Sequence, residues 1–157
     1  MVDQPQYLTP EGFRELEKRL RFLTEVRRVE VAERLHQALA EGGDLTENAE
    51  YEDAKNEQAF VEGEIQRLEM ILNQAEVIED SGVHDEVTLG SRVTVREKGS
   101  RETEVYQIVG SAEAKPGEGR ISAGSPLGKA LLGAKVRQRV TVRAPDGDII
   151  FTIRSIE

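Results

Sequence analysis

From Phe13 the chain places apolar side chains at spacings of three and four: Phe13, Leu16, Leu20 and Leu23. This is the spacing of a coiled-coil seam. The next seam positions are Arg27 and Glu30, so the register breaks there, and it resumes, shifted, at Val31, Leu35 and Ala38. A local change of winding or a splayed segment is expected near Arg27 and Arg28. Thr9-Pro10 reads as the helix start, since Thr caps and Pro at the first helical position sacrifices no needed N–H. Gly42-Gly43 reads as its end, because adjacent glycines disfavour continuation. A second run is cleaner: Tyr51, Ala54, Gln58, Val61, Ile65, Leu68, Leu72 and Ala75 alternate three and four without a miss. It predicts a helix over about residues 44–75, roughly 45 Å long. Two such helices joined by a tight turn make an antiparallel hairpin, with small Ala54 and polar Gln58 near its tip.

The helical period stops at Glu79-Asp80-Ser81-Gly82, and a linker is expected over 79–89. From Gly90 the period becomes two. Val93 and Val95 alternate with Arg92, Thr94 and Arg96, and Val105 to Val109 and Val140 to Val142 alternate likewise. Pro145-Asp146-Gly147-Asp148 turns the chain into a further strand, which reads as a hairpin. Between strands, Ser125 caps, Pro126 opens and Gly133 closes a short helix. The predicted fold class is therefore α+β. An antiparallel helical hairpin (1–78) precedes a small domain (90–157) with an antiparallel sheet on one short helix.

Composition narrows the function. With 157 residues, no Trp, three Tyr and four Phe, a seam plus a small second core fits better than one large core. A net charge of −9 argues against wrapping duplex DNA, which needs a clustered basic surface. The absence of Cys excludes disulfides and thiolate metal sites. No apolar run approaches a membrane span, and Met1-Val2-Asp3-Gln4-Pro5 shows no secretory signal, so a cytoplasmic location is the default expectation. His36 and His84 are isolated from one another and read as surface residues. The seam is satisfied within one hairpin, so a monomer is expected.

The candidate chemistry sits at the turn. Asp44 and Glu47 are three residues apart between the two helical patterns. Two readings stand. In one, Asp44 caps the second helix and Glu47 bonds back to it, a capping box favoured by the helix dipole. In the other, the two carboxylates are a partial ligand set for one divalent ion. Mg²⁺ takes such oxygen donors but needs more of them, from water and from a partner. A carboxylate pair at a rod tip can reach a deep, narrow site that a globular surface cannot enter.

Gly43-Asp44-Leu45-Thr46-Glu47-Asn48-Ala49-Glu50-Tyr51 with Ala54-Lys55 resembles the tip signature of the bacterial Gre transcript cleavage factors. A second signature agrees: Gly110-Ser111-x-Glu113-Ala114, then Ile121-Ser122-x-x-Ser125-Pro126-Leu127-Gly128-x-Ala130-Leu131-Leu132-Gly133. Leu8-Thr9-Pro10-Glu11-Gly12 is similar to the family's first-helix start. Leu45 and Glu50-Tyr51 look more like the GreA branch than the GreB branch. The resemblance implies a coiled-coil rod followed by an FKBP-like domain. That domain would dock on RNA polymerase, at the rim of its secondary channel, through Ser125, Pro126, Leu127, Gly128, Leu131 and Leu132. It implies Asp44 and Glu47 as a catalytic acidic pair sharing an Mg²⁺ with the polymerase active site beside the nascent RNA 3′ end. Gly43, Asn48 and Tyr51 would support the tip. The factor would stimulate the polymerase's own cleavage of backtracked RNA rather than be a nuclease itself. Arg27, Arg28 and Arg34 are candidates for a basic rod face. The chain departs from the family pattern at Ala40, where Arg is common, and at Val29, where Pro is usual after Arg. It departs again at Lys115, where Asp is usual, and at Arg137-Gln138, where Gly-Asp is usual. Two alternatives remain: a channel regulator that does not support cleavage, and a peptidyl-prolyl isomerase. The latter needs aromatic pocket walls, and the half after residue 90 offers Tyr106 and Phe151 alone.

Overall fold

The heptad-patterned residues form helices, and the alternating ones form a sheet, in a computed structural model that describes residues 5–41 and 48–157. The first helical pattern is α1 (Pro10–Phe22), a π-helical turn (Leu23–Arg27) and α2 (Arg28–Glu41). The π turn lies where the seam register breaks. Its extra residue carries the seam from Leu23 to Val31, both of them buried. The Thr24 hydroxyl bonds the carbonyls of Leu20 and Arg21 at 3.0 and 3.1 Å, satisfying backbone that the wider turn frees. The second pattern is α3 (Ala49–Asn73), starting later than expected. Gly42, Gly43 and the rest of the turn lie outside the described residues.

The chain divides into two compact units: Arg14–Gln74, and the residues up to Phe13 together with Ala75–Glu157. In the first, α2 and α3 run antiparallel, since Ala38 meets Asn48, Arg34 meets Glu57 and Arg28 meets Glu62. Leu23, Val31, Val61, Ile65 and Leu68 form its core, with Leu16 and Leu20 packed on them.

In the second unit, β1 (Gln6–Leu8) pairs in parallel with β2 (Ala75–Val77). A five-stranded sheet follows: β3 (Arg92–Glu97), β4 (Glu104–Val109), β5 (Arg120–Ser122), β6 (Arg139–Ala144) and β7 (Gly147–Ile156), in the order β5-β4-β3-β7-β6. The α+β class holds, with one correction. The β4–β5 pair is parallel, because two short 3₁₀ turns, at Ser111–Glu113 and Pro116–Glu118, carry the chain back before β5. One sheet face packs Val93, Val95, Ile108, Val140, Val142, Phe151 and Ile153 against Leu131 of α4 (Pro126–Leu131). Part of the stretch expected as a linker joins this core: Val87 is 1% exposed and its N–H bonds the Ala134 carbonyl at 2.9 Å.

Arg137 opens the way into β6 with φ at 73°, the left-handed region that glycine occupies without strain. Arg137→Gly is expected to stabilise the protein by about 0.5 kcal/mol, the strain relieved slightly exceeding the entropy lost from a more flexible unfolded chain. Urea denaturation of the two proteins measures it, and a loss of stability would show that the Arg137 side chain makes a compensating interaction.

Candidate functional site

The residues flanking the acidic turn are tied together. Asn48 is the N-cap of α3: its side-chain oxygen accepts from the Tyr51 N–H at 3.1 Å. Its amide nitrogen donates to the Ala38 carbonyl at 2.9 Å, stitching the end of α2 to the start of α3. The capping role expected of Asp44 thus belongs to Asn48. Asp44, Glu47 and Gly43 themselves lie outside the described residues. Tyr51 is half-buried in the seam, and the Lys55 ammonium stands 5.7 Å from its ring centroid.

The expected basic rod face is a set of ion pairs. Arg28 binds Glu62 in bidentate fashion at 2.7 and 2.9 Å. That hydrogen bond raises its pKa above the ordinary guanidinium value against the opposing effect of desolvation, and the attraction to Glu62 and Glu69 adds to it. Arg34 reaches Glu57 at 2.5 Å and Glu50 at 3.3 Å, and Arg27 pairs with Glu57 and Glu30. Each of the three has an internal carboxylate partner, so the field they offer outward is largely cancelled.

The Ser125 segment is a built loop. Ser125 caps α4, accepting from the Gly128 N–H at 3.1 Å, while its own hydroxyl donates to the Ser122 carbonyl at 2.7 Å. Gly128 is buried, and a Cβ there would run into the Ser122 carbonyl. Leu131 is fully buried and Leu127 packs against the core from a partly exposed position. Of the six expected docking residues, Pro126 and Leu132 are the exposed ones, Leu132 at 38%.

A polar cluster that reading the sequence alone misses lies in the same unit. Glu113 is 4% exposed. It accepts from the Thr9 N–H at 2.9 Å and the Thr9 hydroxyl at 2.6 Å, and the Arg120 guanidinium stands 3.6 Å away. Thr9 in turn accepts from the Gly12 N–H at 3.1 Å, capping α1. Gly12 leaves the space that the Glu113 carboxylate fills. The signal was present in Thr9-Pro10-Glu11-Gly12 and Gly110-Ser111-x-Glu113, but nothing in the sequence alone says that the two strings touch. Tyr106 and Phe151 meet edge-on, their centroids 6.5 Å apart, inside the sheet core. Burial first, then the Glu104 carboxylate that accepts its hydroxyl, pushes the Tyr106 pKa up to about 12.

Residues 6–77 match the family described as "Transcription elongation factor, N-terminal", and residues 82–157 the one described as "Transcription elongation factor, GreA/GreB, C-term". The chain belongs to the GreA/GreB family of transcription elongation factors. Transcription elongation factor GreA of Roseiflexus castenholzii is 50% identical over 158 residues, covering 100% of both chains. GreA of Chloroflexus aurantiacus is 50% identical over 157 residues, covering 99% of each. Among solved structures, GreA factor homolog 1 (Gfh1) of Thermus thermophilus is 32% identical, covers 98% of this chain and 99% of its own, and has a TM-score of 0.46. Both family regions are thus spanned by one chain, a Gre-type elongation factor. No helix among its described residues is long and apolar enough to cross a membrane.

Proposed function

We propose that this Gre-type factor binds RNA polymerase and presents Asp44 and Glu47 inside the secondary channel, where the pair promotes the polymerase's cleavage of backtracked nascent RNA. The factor itself is not the nuclease. The observation that supports this reading is the Asn48 stitch in a chain of this family. It closes α2 on α3 immediately beside the segment that carries both carboxylates. A closed, narrow helix end is what a deep site admits.

The donor chemistry fits a shared ion. Two carboxylates are hard oxygen ligands of the kind Mg²⁺ takes, but they leave most of its octahedral shell open. Among the described residues there is no group of three or more His, Cys, Asp or Glu able to hold a metal. The remaining ligands would therefore come from water and from the polymerase. When bound, the ion supplies Lewis acidity toward water and the scissile phosphodiester. Asp44 and Glu47 would hold it together with ligands from the polymerase. Adding the protein to a stalled, backtracked elongation complex tests the reading. Shortened RNA that appears only with the factor supports it. Binding without cleavage would instead establish a channel regulator.

Docking belongs, in this reading, to the exposed edge of the Ser125 loop. Leu132→Arg is expected to weaken polymerase binding about tenfold. Removing an apolar side chain and burying a charge at an interface readily supply the roughly 1.4 kcal/mol required. The melting temperature should hold, because Leu132 is outside the core. Competition with the unmodified protein on polymerase measures it, and equal competition would move the docking site elsewhere.

A further inference from the structure

A groove of about 470 Å³ opens on one side of the helical hairpin, where α1 passes into the π turn. Its floor is apolar, formed by Leu23 and Val61 of the hairpin core. Its rims are two phenylalanines that this core does not cover: Phe22 is 43% exposed and Phe60 72%. Phe60 is the most exposed large apolar side chain among the described residues. The π turn begins at Leu23 and ends at Arg27, and both residues line the groove. The insertion that breaks the seam register therefore also shapes this side of the hairpin. Two rings held in water beside an apolar floor leave hydrophobic stabilisation unused.

Ion pairs close the groove at both ends. Arg19 meets Glu64 at 3.1 Å, and its guanidinium stands 5.6 Å from the Phe22 ring centroid. Arg27 pairs with Glu57 and, at 3.1 Å, with Glu30. The antiparallel pairing thus sets three levels along the hairpin: Arg19 beside Glu64, Phe22 beside Phe60, and Arg27 beside Glu57. At both charged levels the cation is on the first helical stretch and the α3 residue is a carboxylate. Every charge in the lining has a partner of opposite sign, so a small ionic ligand finds no free counter-charge to orient it. A surface of this kind is matched instead by the same pairs in inverted order, with apolar rings between them.

We propose that two copies of this chain pair groove to groove, with their hairpins parallel, about a two-fold axis running along the hairpin. Rotation about that axis lays the first helical stretch of one copy over α3 of the other and keeps each level at its own height. Arg19 and Glu64 then face the partner's Glu64 and Arg19, closing a ring of alternating charge, and Arg27 with Glu57 does the same. Between the rings, Phe22 meets the partner's Phe60, twice over by symmetry, above the Leu23 and Val61 floor. A two-fold axis across the hairpin would instead lay α3 on α3, setting Glu57 against Glu64 and Arg19 against Arg27, and like charges disfavour it. The matching face runs from Arg19 to Arg34, roughly 22 Å long and two helices or about 20 Å wide, so the two copies together bury on the order of 900 Å². That is below the roughly 1,200 Å² at which standard interfaces begin, so the pairing is reversible and depends on concentration. The monomer expected from a seam satisfied within one hairpin is the dilute form. Pairing also doubles the thickness of the hairpin, which would hold the dimer out of a narrow channel. That consequence rests on the function proposed above, whereas the pairing itself does not.

The test is analytical ultracentrifugation of the full-length protein from about 1 to 100 μM, the range in which a small interface titrates. The expected result is an average mass that climbs from monomer toward dimer. Phe60→Glu should weaken the association at least about tenfold, and circular dichroism confirms its fold, since Phe60 lies outside the core. Arg19→Glu should weaken it too, and R19E/E64R should restore it, because the inverted pair still alternates with its symmetric copy. The chain has no Cys, so single cysteines report the arrangement. A mixture of Phe22→Cys and Phe60→Cys proteins should cross-link under mild oxidation faster than either protein alone. Monomer mass at every concentration overturns the proposal, as does unchanged association of Phe60→Glu. Phe60→Cys cross-linking to itself faster than the mixture overturns the parallel arrangement. Mass is read without polymerase, so its failure is separate from any failure of transcript cleavage.

Discussion

Asp44→Asn and Glu47→Gln are each expected to lower stimulated transcript cleavage by on the order of 100-fold or more, with polymerase binding nearly unchanged. On the proposed reading, each substitution replaces an anionic oxygen ligand of the shared ion with a neutral amide of the same size. Two carboxylates are a sparse ligand set to begin with, so losing one halves what this chain contributes to the ion. Raising the Mg²⁺ concentration should restore only part of the rate, because geometry as well as occupancy is lost. The structural cost should stay within about 1 kcal/mol, the range for charges near helix ends. The cap of α3 is Asn48, and its seam runs from Tyr51 to Leu72, so neither substitution falls on a cap or seam position. Asn48→Ala is the contrasting variant. It removes the cap and the bond to Ala38, and should lower helix content and cleavage together. The measurements are cleavage in a backtracked complex, polymerase binding and circular dichroism. Full cleavage activity in both carboxylate variants would reduce the acidic pair to local helix chemistry.

The helical half was legible because its signal is local. An unbroken alternation of three and four from Tyr51 specifies α3, and the misplaced Arg27 and Glu30 announce the π turn. The short helix after Ser125 was legible for the same reason, as its cap, proline and glycine lie within nine residues. What escaped is non-local. β1 and β2 are three residues each and lie about seventy positions apart, so neither carries enough periodicity to be seen. The parallel β4–β5 pair depends on a return path through two 3₁₀ turns, and polar turns alone do not tell which strand comes next to which. The Asp44 capping box was plausible in isolation and lost to Asn48, which has a second partner across the hairpin at Ala38. Arg27, Arg28 and Arg34 looked like a basic face until α3 supplied their carboxylates. The prolyl isomerase alternative gains nothing, since the rings it needs are engaged with each other in the core.

Glu113→Ala is expected to cost about 3 kcal/mol of stability. Its carboxylate is buried and satisfies two donors on Thr9, and it stands beside the Arg120 guanidinium. Truncation leaves the Thr9 N–H without its acceptor in a buried position, an expense of roughly 1–3 kcal/mol. It also takes a counter-charge from Arg120, although that side chain is 14% exposed and has a further interaction, so this part falls at the low end for a broken buried pair. Glu113→Gln keeps the volume but offers one acceptor oxygen where two were used, and should cost about half as much. Gly12 separates this clamp from simple loss of packing. The carboxylate occupies the space a Cβ at residue 12 would need, so Gly12→Ala should destabilise the unmodified protein despite alanine's better helix propensity. In the Glu113→Ala background that space is vacant, and Gly12→Ala should become neutral or stabilising by up to about 1 kcal/mol. The sign change is the signature, and urea denaturation of the four proteins measures it. If Glu113→Ala stays within about 0.5 kcal/mol of the unmodified protein, or Gly12→Ala has the same sign in both backgrounds, the clamp does not hold the start of α1.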